Sequence, residues 1–354
     1  MGLTIGLTYD LKTDWQPGPN DPVDANAELD SPKTIDRLAE VFTGAGHRVK
    51  KIGNVHNLLK NMDDLGVDIV FNIAEGRKTR NRESQVPILL ELKGVPCVGS
   101  DALTLGISLD KVATKKMMIA DNIPTPKYFH AWYTDDLKKM NTFGYPLIVK
   151  ARYEGTSKGL TDSSRVTDLA GLKCQVELIN RNYNQTALVE EFIRGTEFTV
   201  PVIGNEDPEA MPVCQVTIDG SGNLGDQFFT FERVSAKNLQ YDCPAKISAS
   251  LAKKMQELAI AVYKNLECLD FGRVDFRVDE KGNPYVLEIN PLPSLAEVDV
   301  FNIFPNVIGS SYEKIINQIL NFGIARYNLN GHAKQARTDK STKRGHLVQH
   351  VKMS

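Results

Sequence analysis

Asp275, Glu288 and Asn290 are three oxygen-bearing side chains in one short stretch, D-F-G-R-V-D-F-R-V-D-E-K-G-N-P-Y-V-L-E-I-N, which runs from Asp270 to Asn290. Val274, Phe276 and Val278 alternate with polar residues, as do Tyr285, Leu287 and Ile289, and Glu280-Lys281-Gly282-Asn283 between them reads as a turn. The pattern predicts a hairpin. Strand side chains repeat every second residue, so Glu288 and Asn290 share a face, and Asp275 can reach that face from across the ladder. Oxygen donors of this kind on a rigid sheet suit Mg²⁺, which takes a few carboxylates together with substrate phosphates. A solvated surface hairpin is the alternative. It leaves unexplained why an acid and an amide interrupt the apolar run V-L-E-I-N-P.

Two further stretches carry groups suited to a nucleotide. The apolar run Pro146–Val149 ends at Lys150 and leads into Arg152-Tyr153-Glu154-Gly155-Thr156-Ser157-Lys158-Gly159. Gly155 and Gly159 let backbone N–H groups approach a phosphate, and Thr156 and Ser157 add hydroxyl donors. Neither the Walker pattern nor the dinucleotide glycine fingerprint is present. The second stretch runs from Ala187 through Glu190, Phe192 and Ile193 to Glu197. It reads as a strand ending in acids, then a turn at Gly195, then another acid. A carboxylate or backbone carbonyl here can take an adenine amino group, and Glu197 the ribose hydroxyls. Lys111, in S-L-D-K-V-A-T-K, opens a helix and by itself reads as a solvated lysine.

The elements that must position these groups read as α/β. Leu3, Ile5 and Leu7 alternate in a first strand, and Ser31-Pro32 caps a helix with Ile35, Leu38, Ala39 and Phe42 on one face. Val67–Ile73 is a mostly apolar run, as in a buried parallel strand. Strands alternating with helices predict an N-terminal doubly wound parallel sheet. We expect an N-terminal unit over 1–104, a central one over 105–189, a C-terminal one carrying the metal site over 190–327, and a basic, disordered tail over 328–354.

A chain of 354 residues is long enough for two or three domains. A net charge of -2 argues against nucleic-acid binding. Five widely spaced cysteines without a C-x-x-C pair suit reduced thiols in a cytoplasmic protein. No signal peptide or membrane span is expected.

These pieces, in this order, resemble the ATP-grasp superfamily, and more closely its D-alanine–D-alanine ligase-like branch. The resemblance covers nearly all of residues 1–325, through F-N-I-A-E-G, N-R-E-S-Q-V-P, L-D-K, V-K-A-R-Y-E-G-T-S-K-G, V-E-E-F-I-R-G-T-E-F, Y-D-C-P-A and G-R-V-D-F…L-E-I-N-P-L-P. It implies an ATP-grasp fold of three α/β subdomains, with Lys111 and Lys150 on the ATP phosphates. It also implies Glu190 on the adenine amino group, the Phe192–Ile193 backbone beside the ring, and Glu197 on the ribose. Asp275, Glu288 and Asn290 would hold two Mg²⁺ ions, with Mn²⁺ as a substitute. Arg273 matches an arginine that stabilises an oxyanion, Glu28 lies near the acid that orients the first substrate, and Thr156 replaces a loop serine. The phosphate-loop cation is Arg233 or Lys237.

The implied reaction converts a carboxylate to an acyl phosphate with ATP and then joins it to an amine. The implied partners are two small molecules, with no nucleic acid and no membrane, and a homodimer is compatible. The departures from the cell-wall ligases are specific. Glu75 stands for their histidine, Leu292-Pro293-Ser294 for their S-P-G, and Asp299 for the serine that binds the acceptor carboxylate. These changes imply a ligase of specialised or natural-product metabolism. The alternatives are an imine-forming ligase like those of mycosporine synthesis, the housekeeping D-alanine–D-alanine ligase, and a non-catalytic ATP-binding regulator. Asp299 has a competing role, as a cap of the helix that begins at Val300.

Overall fold

The computed structural model describes residues 2–77, 79–134, 136–137, 143–235 and 238–329. The chain opens with β1 (Thr4–Thr8), α1 (Pro32–Gly44), β2 (Arg48–Gly53), α2 (Val55–Lys60), β3 (Ile69–Asn72), α3 (Gln85–Leu92) and β4 (Cys97–Val98). The four strands form a parallel sheet in the order β2-β1-β3-β4. Ser31 caps α1 by accepting a hydrogen bond from the Thr34 N–H, and Pro32 occupies the first turn, where no N–H is needed. Buried Ile35, Leu38 and Phe42 of α1 pack on Ile5, Leu7 and Phe71 of the sheet. The opposite sheet face, through Val70, packs on Leu58 of α2 and on Val86 and Leu90 of α3. The N-terminal sheet is therefore covered on both faces, as its buried strands β1 and β3 require.

Helices α4 (Ala102–Leu109) and α5 (Lys111–Ala120) lead to β5 (Tyr128–Ala131), β6 (Leu147–Ala151), β7 (Arg165–Val166), α6 (Leu169–Tyr183) and β8 (Ala187–Glu191). The strands make an antiparallel sheet, β5-β8-β6-β7, with α6 on one face. Strand β6 starts at Leu147, one residue later than the apolar run begins, because Pro146 has no N–H for a ladder.

The rest of the chain holds β9 (Gly195–Ile203), β10 (Glu209–Ala210), β11 (Cys214–Ile218), α7 (Phe231–Ser235), β12 (Leu239–Asp242), α8 (Ala249–Asn265), β13 (Phe271–Asp279) and β14 (Pro284–Asn290). Helices α9 (Val300–Val307) and α10 (Tyr312–Arg326) follow. Strands β12-β11-β9-β13-β14 form an antiparallel sheet, with β10 on β9 and α8 packed across it. The β13–β14 hairpin pairs Asp275 with Glu288 and Arg273 with Asn290, with a bulge after Asp275. Both acids and Asn290 thus stand on one face, as the alternation predicts.

The two C-terminal helices do not stay with the large sheet. Phe301, Phe304, Ile316, Ile319 and Leu320 join the core of the N-terminal sheet. One buried carboxylate fixes that return. Asp270 is fully buried and accepts hydrogen bonds from the Gly99 N–H (2.8 Å), Asn205 Nδ2 (2.9 Å) and Arg326 Nη2 (2.7 Å). It links the end of β4, the segment after β9 and the end of α10. Of the tail expected to be disordered over 328–354, Asn328 and Leu329 are described, with Leu329 packed against the N-terminal core, and 330–354 lie outside the described residues.

Removing one partner of a buried ion pair leaves an uncompensated charge. Asp270→Ala should therefore lower the unfolding free energy by roughly 3–5 kcal/mol in urea denaturation. An unchanged midpoint would mean that this carboxylate does not fasten α10 to the sheet.

Candidate active site

Two adjoining cavities lie between the sheets. The first runs between the central and large sheets and is lined by Ile148, Lys150, Glu190, Phe192, Ile193 and Glu197. The second has a volume of about 680 Å³ and faces the N-terminal unit; Glu28, Glu75, Glu83, Asn290, Ser294 and Asp299 line it. Lys111, Thr156, Arg273 and Glu288 line both. All the predicted site residues except the two candidates for the phosphate-loop cation, Arg233 and Lys237, lie at these cavities or their shared wall. Lys237 falls outside the described residues. Arg233 instead pairs with Asp162 at 2.8 Å.

Opposite charges meet across the cleft. Asp110 caps α5 through the N–H groups of Val112 and Ala113, and so presents Lys111 at the first turn. Lys111 Nζ lies 3.0 Å from Glu288 Oε2 and donates to the Glu154 carbonyl at 2.6 Å. Lys150 Nζ is 2.6 Å from Glu190 Oε2, and buried Lys115 pairs with the other Glu190 oxygen. Burial opposes charge on Glu190, but Lys115 and Lys150 outweigh it and hold its carboxyl down to about 2. Burial likewise opposes charge on Glu288, and Lys111 and then Lys150 bring it below the ordinary carboxylate value.

The hairpin face carries its own network. Arg273 donates Nε and Nη2 to the two oxygens of Asp275, each at 3.0 Å, and Nη1 to Asp299 Oδ2 at 3.2 Å. Asp275 also accepts from Thr199 Oγ1 (2.7 Å) and Asn290 Nδ2 (2.9 Å). Asp299 Oδ1 accepts the Val300 N–H at 2.7 Å, so this residue caps α9 while its other oxygen holds Arg273. The helix-cap role weighed against substrate contact is the one its hydrogen bonds fill. No group of three His, Cys, Asp or Glu side chains suited to a metal occurs among the described residues. Asp275, Glu288 and the Asn290 amide form a smaller oxygen set, which fits an ion that completes its shell with substrate phosphates and water.

The phosphate-loop candidate is anchored from the N-terminal unit. Glu28 accepts the Gly155 N–H at 2.7 Å and pairs with Arg82 at 2.8 Å and Lys158 at 2.7 Å. A Cβ on Gly155 would stand 2.8 Å from Glu28 Oε1, so a side chain there would push the Glu28 carboxylate aside. Thr156 and Ser157 adopt left-handed backbone at φ 47° and 56°. Such conformations cost about 1–3 kcal/mol each and persist where the surroundings fix them.

Several residues here escaped the sequence reading. Lys115 sits one helical turn from Lys111, on the same face of α5, and that spacing is a usable signal. Arg277 continues the polar face of β13 after Arg273 and Asp275. It pairs with Glu197 at 2.6 Å and donates to the carbonyls of Gly225 (2.9 Å), Gln227 (2.8 Å) and Ile193. Arg82 and Glu83 fall in N-R-E-S-Q-V-P, a stretch of the family resemblance, but nothing local to it indicates their roles.

Comparison with known proteins agrees with this architecture. The family model described as D-ala D-ala ligase C-terminus matches residues 119–321. A Pelotomaculum thermopropionicum D-alanine–D-alanine ligase is 30% identical over 81% of this chain and 95% of its own length. An uncharacterized protein, y4sG, of Sinorhizobium fredii is 36% identical over 74% of this chain and 76% of its own. Among solved structures, the VanG D-Ala:D-Ser ligase of Enterococcus faecalis superposes with a TM-score of 0.72 at 20% identity, covering 91% of this chain and 100% of that one. The fold and the site together define an ATP-grasp ligase, an ATP-dependent enzyme that forms C–N bonds. The chain belongs to the D-alanine–D-alanine ligase family. No helix among the described residues is long and apolar enough to cross a membrane.

The Glu28 network makes stability sensitive to acid. Burial raises the Glu28 carboxyl, but Arg82 and Lys158 override it and hold it near 2. A depressed carboxyl stabilises the fold above its unfolded value, and that stability is lost as pH falls through the folded one. Unfolding free energy should drop by on the order of 3 kcal/mol between about pH 4.5 and pH 2 on account of this group. Glu28→Gln should flatten that part of a urea-stability profile; an identical slope would assign the acid sensitivity elsewhere.

Proposed function

We propose that the protein joins a small-molecule carboxylate to an amine through an acyl phosphate formed where the two cavities meet. The observation that carries this reading is the shared wall: Lys111, Thr156, Arg273 and Glu288 face both cavities. A phosphoryl group transferred from one side to the other must pass these residues. In this reading ATP occupies the first cavity. Glu190 and the Phe192–Ile193 backbone lie by the adenine, Glu197 by the ribose, and Lys111, Lys150, Thr156 and Ser157 by the phosphates. The division into units 1–104, 105–189 and 190–327 is part of the same proposal, with α10 packed back on the first unit.

Bound Mg²⁺, as two ions or with Mn²⁺ in its place, would neutralise charge on the transferring phosphoryl group. Asp275, Glu288 and Asn290 would hold it. The lysines then exchange their carboxylate partners for phosphate oxygens, which preserves charge balance in a site shielded from water. Attack by the amine places negative charge on the former carboxylate oxygen. Arg273 is held by Asp275 and Asp299 at the cavity wall, where its guanidinium can stabilise that oxygen. A closed site also protects an acyl phosphate from hydrolysis.

The substrates we propose belong to specialised metabolism. Glu75 and Asp299 stand where the cell-wall ligases carry a histidine and a serine, and Asp299 is committed to Arg273 and to α9. The family relationship favours a second reading, synthesis of the D-alanyl dipeptide itself; ADP release with D-alanine as sole substrate separates the two. ADP and phosphate should be the products in either case, and AMP with pyrophosphate would contradict the acyl-phosphate reading. Glu288→Gln keeps a partner for Lys111 while removing the charge. It should reduce turnover by about 10²-fold or more, the scale for loss of one transition-state contact, with little change in melting temperature. Full activity in that variant would remove the assignment.

A further inference from the structure

Three carboxylates beside the N-terminal sheet take no part in the phosphoryl transfer proposed above. Asp30 precedes α1, Glu75 follows β3 and Glu83 precedes α3, and all three line the 680 Å³ cavity. Among the described residues, none of their side chains makes a hydrogen bond or an ion pair. Glu83 is only 8% exposed. Glu28 offers the contrast, since the Gly155 N–H, Arg82 and Lys158 engage both of its oxygens.

The cations on the same wall do not balance these acids. Lys111 is committed to Glu288, and Arg273 to Asp275 and Asp299. Arg82, next to Glu83 in sequence, acts on Glu75 and Glu83 through space, but its hydrogen bonds go to Glu28 and the Tyr153 carbonyl. Lys12 remains, at the rim beside Asp30. Burial and the neighbouring Glu83 push Glu75 well above the usual carboxylate range, and burial pushes Glu83 to about 7. A helix-cap role for Glu83 would explain it without a ligand, but its carboxylate accepts no N–H of α3, and Ser84 holds the cap position. A buried carboxylate without a partner is costly, and neutral glutamine would fit the same space.

We propose that this cavity receives a substrate whose side chain ends in an ammonium or guanidinium group, bound by Glu75 and Glu83 with Asp30 at the edge. The cation sits apart from the reacting carboxylate and amine at Lys111, Arg273 and Glu288. It sets specificity rather than chemistry. The proposal rests on the ligase reading only for which molecule is coupled, because the cation subsite itself can be measured by binding.

The test uses the full chain with Mg²⁺ and ATP and follows ADP release. The panel contains both enantiomers of alanine, serine, aspartate, ornithine, lysine and arginine, together with putrescine and agmatine. Calorimetric titration of lysine and arginine onto the chain loaded with a non-hydrolysable ATP analogue runs in parallel. Cationic substrates should exceed alanine and aspartate by about tenfold or more in kcat/KM, the scale of one charge-assisted hydrogen bond. Lysine against arginine separates ammonium from guanidinium. Glu83→Gln and Glu75→Gln should each weaken the cation by about tenfold in KM and in Kd, with kcat and the KM for ATP nearly unchanged. Both variants remove charge and not volume, so melting temperatures should hold or rise. Cation binding without ADP release from any substrate would support the subsite and sink the ligase reading. Preference for alanine or aspartate, or absence of cation binding, overturns the proposal. So does unaltered cation affinity in both glutamine variants.

Discussion

The cleft is built on mutual neutralisation of buried charge. Lys111 meets Glu288, Lys115 and Lys150 meet Glu190, and Arg273 meets Asp275. Breaking one such pair leaves a charge whose desolvation is not repaid, at a cost of several kcal/mol. The cleft must therefore close on itself or on something that replaces each partner in kind. A polyphosphate with a divalent cation is such a replacement, since its oxygens suit the lysines and its metal suits the carboxylates. Charge balance in the folded protein and the chemistry proposed for it are thus the same constraint.

A second set of pairs connects the two cavities. Glu28 in the N-terminal loop holds Gly155 and Lys158 of the phosphate-loop candidate, and Arg82 beside α3 joins the same cluster. The left-handed backbone at Thr156 and Ser157 is set directly beside this anchor. Glu28 thus lines the cavity next to the N-terminal sheet and holds the loop with one carboxylate. The Asp270 contacts with Gly99 and Arg326 brace the same N-terminal sheet from the far side.

Local pattern carried much of this in the sequence. Period-two alternation around a four-residue turn located Asp275, Glu288 and Asn290 on one face, because register follows from the turn. The caps at Ser31, Asp110 and Ser248 appear where a short polar side chain precedes an apolar helical run. What escaped was pairing between distant segments. Lys115 with Glu190, Arg82 with Glu28 and Asp270 with Arg326 are set by tertiary packing, and no spacing encodes them. Asp299 was ambiguous for a related reason, since a cap and a substrate contact have the same local signature and only the position of Arg273 distinguishes them. Glu83 falls in N-R-E-S-Q-V-P, a stretch of the family resemblance, and only the cavity beside it sets it apart from other residues before a helix.

The account turns on phosphoryl transfer to a substrate oxygen at the junction of the cavities. A carboxylate substrate found by ADP release, labelled with ¹⁸O in its carboxyl group, tests this directly by mass analysis of the phosphate formed. An acyl phosphate loses its carboxyl oxygen to the phosphoryl group when the amine attacks, so one ¹⁸O atom should appear in inorganic phosphate for each product molecule. Label in AMP, or unlabelled phosphate accompanying full product formation, would contradict the account.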